Sequence, residues 1–120
     1  MLALANIVVM RATGTALGEF ELLVLLAVLR LEAANGSRVR DELERRTSRR
    51  IARGAVYVTL DRLEAKGLLS SQLDGTSNRV RPTRVYRVSP HGLRAVRRSV
   101  ADVARMRRGI ERLLPIEDPA

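Results

Sequence analysis

The sequence predicts a mainly α-helical domain that carries one small β-hairpin and ends in a long helix. Three observations carry this prediction. Apolar residues recur at helical spacing in three successive segments between Glu19 and Leu69. Two strand-like runs, "LLSSQL" and "RVYRVS", then flank the turn-rich stretch "DGTSNRVRPT". Finally, Leu93, Val96, Val100, Val103, Arg107, Ile110 and Leu114 follow spacings of 3, 4, 3, 4, 3 and 4, a heptad seam on one helix face.

Composition narrows the class further. A chain of 120 residues makes one domain with a real core. With one Phe, two Tyr and no Trp, that core must be aliphatic. The absence of cysteine excludes disulfides, thiolate metal sites and cysteine nucleophiles. A cytoplasmic protein is therefore expected. "MLALANIVVM" lacks the basic start and cleavage site of a signal peptide, and "FELLVLLAVLRL" is too short to span a bilayer, so no membrane is expected as a partner. Met10 offers a second start, which leaves open whether residues 1–9 belong to the protein.

The net charge of +9 is unevenly placed. Eleven arginines lie between Arg79 and Arg112, against only Asp102 and Glu111. A basic half of this kind suits a polyanion, either nucleic acid or an anionic surface, and charge alone does not choose between them. Lys66 is the only lysine, a bias that codon usage explains as well as guanidinium chemistry does.

Each element can be justified in order. Glu19 to Ala34 is apolar almost all round, as in a helix buried on more than one side. "ANGS" breaks it. Ser37 to Thr47 reads as a charged second helix anchored by Val39 and Leu43, with Asp41, Glu42 and Glu44 beside Arg40, Arg45 and Arg46 as a solvated, ion-paired face. "GAVYVTLDRLEAKGLL" follows as a third helix whose buried stripe is Val56, Leu60 and Leu63, closed by Lys66-Gly67. The hairpin keeps Pro82 in its loop or at a strand edge. Ser89 and Pro90 start the last helix as N-cap and first helical residue. The boundaries expected are an extension without fixed structure over 1–16, a binding domain over 17–89, a dimerisation helix over 90–114 and a tail over 115–120.

Three short helices followed by a hairpin is the layout of a winged helix-turn-helix. In that arrangement the third helix enters the DNA major groove and its first turns reach base edges. Arg53, Gly54, Ala55, Tyr57, Val58 and Arg62 are the candidate contacts there, with Gly54 allowing close backbone approach and the Tyr57 hydroxyl available to a phosphate. Ser37 and Arg38 at the start of the second helix, and Arg79, Arg81 and Arg84 in the wing, complete the basic surface. Asp61 repels DNA and is expected to pair with Arg62 or a neighbouring arginine. The seam from Leu93 to Leu114 is the candidate dimer interface, with Arg107 as the polar residue that fixes register. The remaining arginines of that helix point away from the seam.

"LGEFELLVLLAVLRL", "GAVYVTLDRLEAKGLL" and "VYRVSPHG" resemble the PadR family of bacterial winged-helix regulators, in the short form without a separate C-terminal domain. The resemblance runs from about Leu17 to Ile110, and its specific part is Gly54 to Leu69. It implies a homodimeric transcription regulator, with the family's phosphate-contacting tyrosine at Tyr57, its glycine before the recognition helix at Gly54 and its basic wing at Arg79, Arg81 and Arg84. The chain departs from the pattern at Asn35, where a tyrosine is usual, and at Ala52, where Ser or Thr caps the third helix. It also lacks the tryptophans with which drug-binding members sandwich flat ligands.

Chemistry is otherwise sparse. His91 sits in a helix first turn as an exposed residue, and no metalloprotease, Walker or dinucleotide motif occurs. The expectation is a non-enzyme without cofactor or metal, with no effector identifiable. The expected function is sequence-specific DNA binding as a dimeric repressor on an inverted repeat. The alternative is an interaction module that uses its basic face on an acidic protein or membrane surface.

Overall fold

The structure, a computed structural model, describes residues 16–75 and 82–115. The expected N-terminal extension, apart from Ala16, lies outside these residues, as do Arg79 and Arg81 of the wing and the end of the tail. The elements run α1 (Glu19–Leu31), α2 (Gly36–Thr47), α3 (Arg53–Ala65), β1 (Leu69–Asp74), β2 (Thr83–Val88) and α4 (Pro90–Arg107), followed by a short 3-10 turn at Glu111–Leu113. The mainly helical winged helix-turn-helix expected from the sequence is therefore the fold observed.

The core is aliphatic, as the lack of aromatics requires. Val24, Leu25 and Val28 of α1 meet Val39 and Leu43 of α2 and Val56, Leu60 and Leu63 of α3, all buried. Burying such side chains stabilises the fold by about 1.5–3 kcal/mol each. Ion pairs fasten the outside of this bundle. Lys66 Nζ bonds Glu21 Oε2 at 2.8 Å and so ties the end of α3 to α1. Burial pushes the Glu21 carboxyl up, but hydrogen bonds from Lys66 and the Gly18 N–H outweigh it and hold the group below its usual range.

Glu42 corrects the expectation of a solvated face. Its side chain is only 7 % exposed, clasped by Arg45 at 2.5 Å, Arg46 at 2.9 Å and Arg30 of α1 at 3.3 Å. Hydrogen bonds from Arg46 and Arg45 keep its pKa below the ordinary carboxylate range. Glu44 accepts the Ile51 N–H at 2.8 Å while Arg40 Nε donates to the Ile51 carbonyl at 2.7 Å, which pins the turn between α2 and α3.

β1 and β2 pair antiparallel, with Leu69 opposite Val88 and Asp74 opposite Thr83. The sheet is joined by a one-residue bridge that the sequence pattern does not announce. Ala34, between α1 and α2, exchanges hydrogen bonds with Tyr86 (Ala34 N–H to Tyr86 O at 3.1 Å, Tyr86 N–H to Ala34 O at 2.9 Å). The first helix consequently ends at Leu31, short of the expected Ala34. Tyr86 is buried on the sheet's inner face, and burial raises its hydroxyl pKa.

The last helix begins as expected: Ser89 accepts the Gly92 N–H at 2.9 Å and Pro90 opens the first turn. Gly92 is required there, because a Cβ would lie 2.1 Å from the Leu68 carbonyl oxygen. Its end differs from expectation. The helix stops at Arg107, and Gly109 turns the chain with φ +92°, a conformation suited to glycine. Ile110 and Leu114 thus lie beyond the helix and do not continue its face. Val96, expected on the outward seam, is buried in its own domain and Leu93 is half-buried. Only the segment after Ser99 presents apolar side chains outward: Val100, Val103 and Met106 are 47, 52 and 78 % exposed. Among the described residues, no helix is long and apolar enough to cross a membrane.

Candidate nucleic-acid interface

α2 and α3 begin beside one another, and the wing strand β2 arrives next to both. An open cleft of about 370 Å³ lies where they meet, with Asn35, Gly36 and Ser37 on one side, Arg53 and Tyr57 on the second, and Pro82, Thr83 and Arg84 on the third. Three segments that the sequence places up to 49 residues apart therefore converge on one concave, cationic surface.

The α2 start is built by Asn35. Its side-chain oxygen accepts the Arg38 N–H at 2.9 Å, a standard N-cap. The residue that replaces the expected tyrosine thus has its own structural role. Gly36 follows, buried against the Tyr57 ring: a Cβ would stand 2.5 Å from Cε1 and 2.9 Å from the hydroxyl oxygen. Tyr57 is half-buried and packs on the core edge while its ring also forms a wall of the cleft. One side chain thus both packs against the core and lines the cleft.

The α3 start is open. Ala52 occupies the N-cap position and supplies no side-chain hydrogen bond. Arg53 lies over the Tyr57 ring, its guanidinium carbon 5.6 Å from the centroid, which holds the cation at the cleft. Gly54 has nothing within 4 Å of where a Cβ would be, so the backbone is bare toward solvent. Ala55 is exposed, and Val58 is 55 % exposed on the outer face.

Of the expected contacts, Gly54, Ala55, Val58, Arg62 and Arg38 do not line the cleft, and the ion pair expected of Asp61 does not form. Arg62 is in the last turn of α3, where its charge helps lower the Glu21 pKa on α1. Asp61 forms no ion pair with Arg62 or any other described residue; it lies near Tyr86 and raises that hydroxyl's pKa. Arg38 is exposed beside the cleft, and Arg87 lies on the outer face of the wing. Asn35, Gly36, Pro82 and Thr83 line the cleft without having been expected there. Asn-Gly before a charged helix is an N-cap signal that identifies the first two; Pro82 and Thr83 depend on where the wing folds back.

The comparisons agree with this geometry. The transcriptional regulator PadR-like family profile matches residues 25–98. No curated protein sequence matches the chain. Among solved structures, a PadR family transcriptional regulator from Eggerthella lenta is similar over 98 % of this chain and 100 % of its own, with 27 % identity and a TM-score of 0.64. RosR of H. salinarum is similar over 78 % of this chain and 79 % of its own, with 27 % identity and a TM-score of 0.63. BpsR of Bordetella bronchiseptica, whose DNA binding is regulated by 6-hydroxynicotinic acid, covers 86 % of this chain and 69 % of its own with a TM-score of 0.63; at 19 % identity it speaks for the fold alone. With the profile spanning most of the winged domain and the cleft in place between its helices and wing, the chain belongs to the PadR-like family of transcriptional regulators, which are DNA-binding proteins and not enzymes.

Proposed function

We propose that this chain is a homodimeric repressor that binds an inverted-repeat operator through α3, the start of α2 and the wing. The observation that supports this reading is the cleft where Arg53, Tyr57, Ser37 and Arg84 converge. In this reading α3 enters the major groove with the bare backbone of Gly54 and the Val58 methyls toward base edges. The Tyr57 hydroxyl and the α2 start take phosphates, and Arg79, Arg81 and Arg84 carry the wing to the minor groove or backbone. Val100, Val103 and Met106, with Ile110, Leu113 and Leu114 after the helix, form the apolar surface for the second copy.

Fluorescence anisotropy tests the reading, using DNA upstream of the protein's own gene, a scrambled duplex of equal length and two salt concentrations. Preference for the upstream DNA, with affinity falling steeply as salt rises, is the expected result. Equal weak binding to both would leave only a basic surface and favour an acidic protein or membrane as the partner. Dimerisation is tested by light scattering on Val100→Glu combined with Val103→Glu, which should give a monomer that has lost tight operator binding. A dimer that survives both changes would place the interface elsewhere.

A further inference from the structure

Arg84 is held from behind. In the wing register Ser71 stands opposite Tyr86 and Leu73 opposite Arg84, so Ser71 and Arg84 are diagonal neighbours on the inner face. Arg84 Nη1 donates to Ser71 Oγ at 2.9 Å, and Ser71 Oγ donates to Glu64 Oε2 of α3 at 2.6 Å. The direction of this relay is forced by chemistry. A carboxylate only accepts, so the single hydroxyl proton goes to Glu64 and the oxygen lone pairs turn toward the guanidinium. Among the described residues Arg84 and Glu64 do not touch as an ion pair; the hydroxyl stands between them.

From this geometry we infer that Ser71 is a positioning residue for DNA binding, which with Glu64 holds the Arg84 guanidinium in place at the wall of the cleft. The inference rests on the proposed function, since it assigns Arg84 a phosphate. A guanidinium ordered before the encounter loses less side-chain freedom on binding than one that must be captured. Without the hydroxyl, Arg84 either moves freely or collapses onto the Glu64 carboxylate, and in both cases it leaves the cleft.

The test is a double-mutant cycle on the full chain with the upstream duplex at low salt. Ser71→Ala should weaken binding about five-fold, a typical coupling for directly bonded groups. Ser71→Thr, which keeps the hydroxyl, should restore it. In an Arg84→Ala background Ser71→Ala should change nothing. An equal loss in that background, or no loss in the native one, would overturn the inference. A second measurement needs no DNA: nitrogen-15 NMR of the free protein should show slowed rotation of the Arg84 guanidinium that disappears in Ser71→Ala. Persistence of that ordering would equally overturn it. If the native chain binds neither duplex, the DNA role of Ser71 falls with the proposed function, while the NMR result still decides whether Ser71 holds Arg84.

Discussion

α2 and α3 are adjacent helices of nearly equal length, 12 and 13 residues, yet they treat their polar groups in opposite ways. α2 turns many of them inward. Asn35 caps it, Glu42 gathers three arginines, Glu44 and Arg40 grip Ile51, and the Thr47 hydroxyl bonds back to the Leu43 carbonyl at 2.6 Å. α3 leaves its start uncapped, Gly54 bare, Arg53 on an aromatic face and Val58 in water. The pair is thus divided by turns as much as by helices: beyond its first turn α2 is scaffold, its polar groups partnered within the protein, whereas the first turns of α3 keep theirs open to another molecule.

The comparison can be broken by substitution. The largest effect on stability within the pair is expected at Glu42. Glu42→Gln should lower Tm at neutral pH by loosening Arg30, Arg45 and Arg46 together, without altering the salt dependence of DNA binding. The pH profile should follow. Glu42 and Glu21 both have folded pKa values below the ordinary 4.5. Their contribution is complete above that value and is lost as pH falls through the folded pKa values. Circular dichroism melts from neutral pH down to about pH 3 should show the decline in the native chain and a shallower one in Glu42→Gln.

On α3 the effects should move from stability to binding. Arg53→Glu places a carboxylate at the cleft and should reduce operator affinity about 100-fold, with only a small fall in Tm. Tyr57→Phe keeps the ring against Gly36 and removes only the hydroxyl; anisotropy should show about a ten-fold loss at nearly constant Tm. A large drop in Tm with unchanged binding would assign Tyr57 to the scaffold alone. The smallest change sharpens the contrast by repairing it: Ala52→Ser gives α3 the cap it lacks and should stabilise the domain by about 1 kcal/mol in a denaturant titration.

Much of this architecture was legible because periodicity and capping are local. Val39 and Leu43, the stripe Val56–Leu60–Leu63, the stop at Gly67 and the start at Ser89-Pro90 are all signals within a few residues. What was not legible depended on distant partners or on a single residue overriding a pattern. Glu42 reads as a surface acid until Arg30 of another helix closes over it. The seam from Leu93 keeps its spacing through Leu114, but spacing is blind to the break after Arg107, where Arg108 turns extended and Gly109 takes a positive φ. Arg-Arg-Gly at 107–109 was the available stop signal. Half of the cleft followed from the helix pattern, whereas Pro82, Thr83 and the Ser71 relay required the wing's register.

The bridge between Ala34 and Tyr86 fastens the wing to the helical domain. The linker that ends α1 and launches α2 is also an edge of the sheet, so one pair of hydrogen bonds fixes the wing and the α2 start relative to each other. Lengthening the wing at its far end would alter only reach. A single residue inserted between Leu31 and Asn35 would displace the bridge itself and with it two walls of the cleft at once.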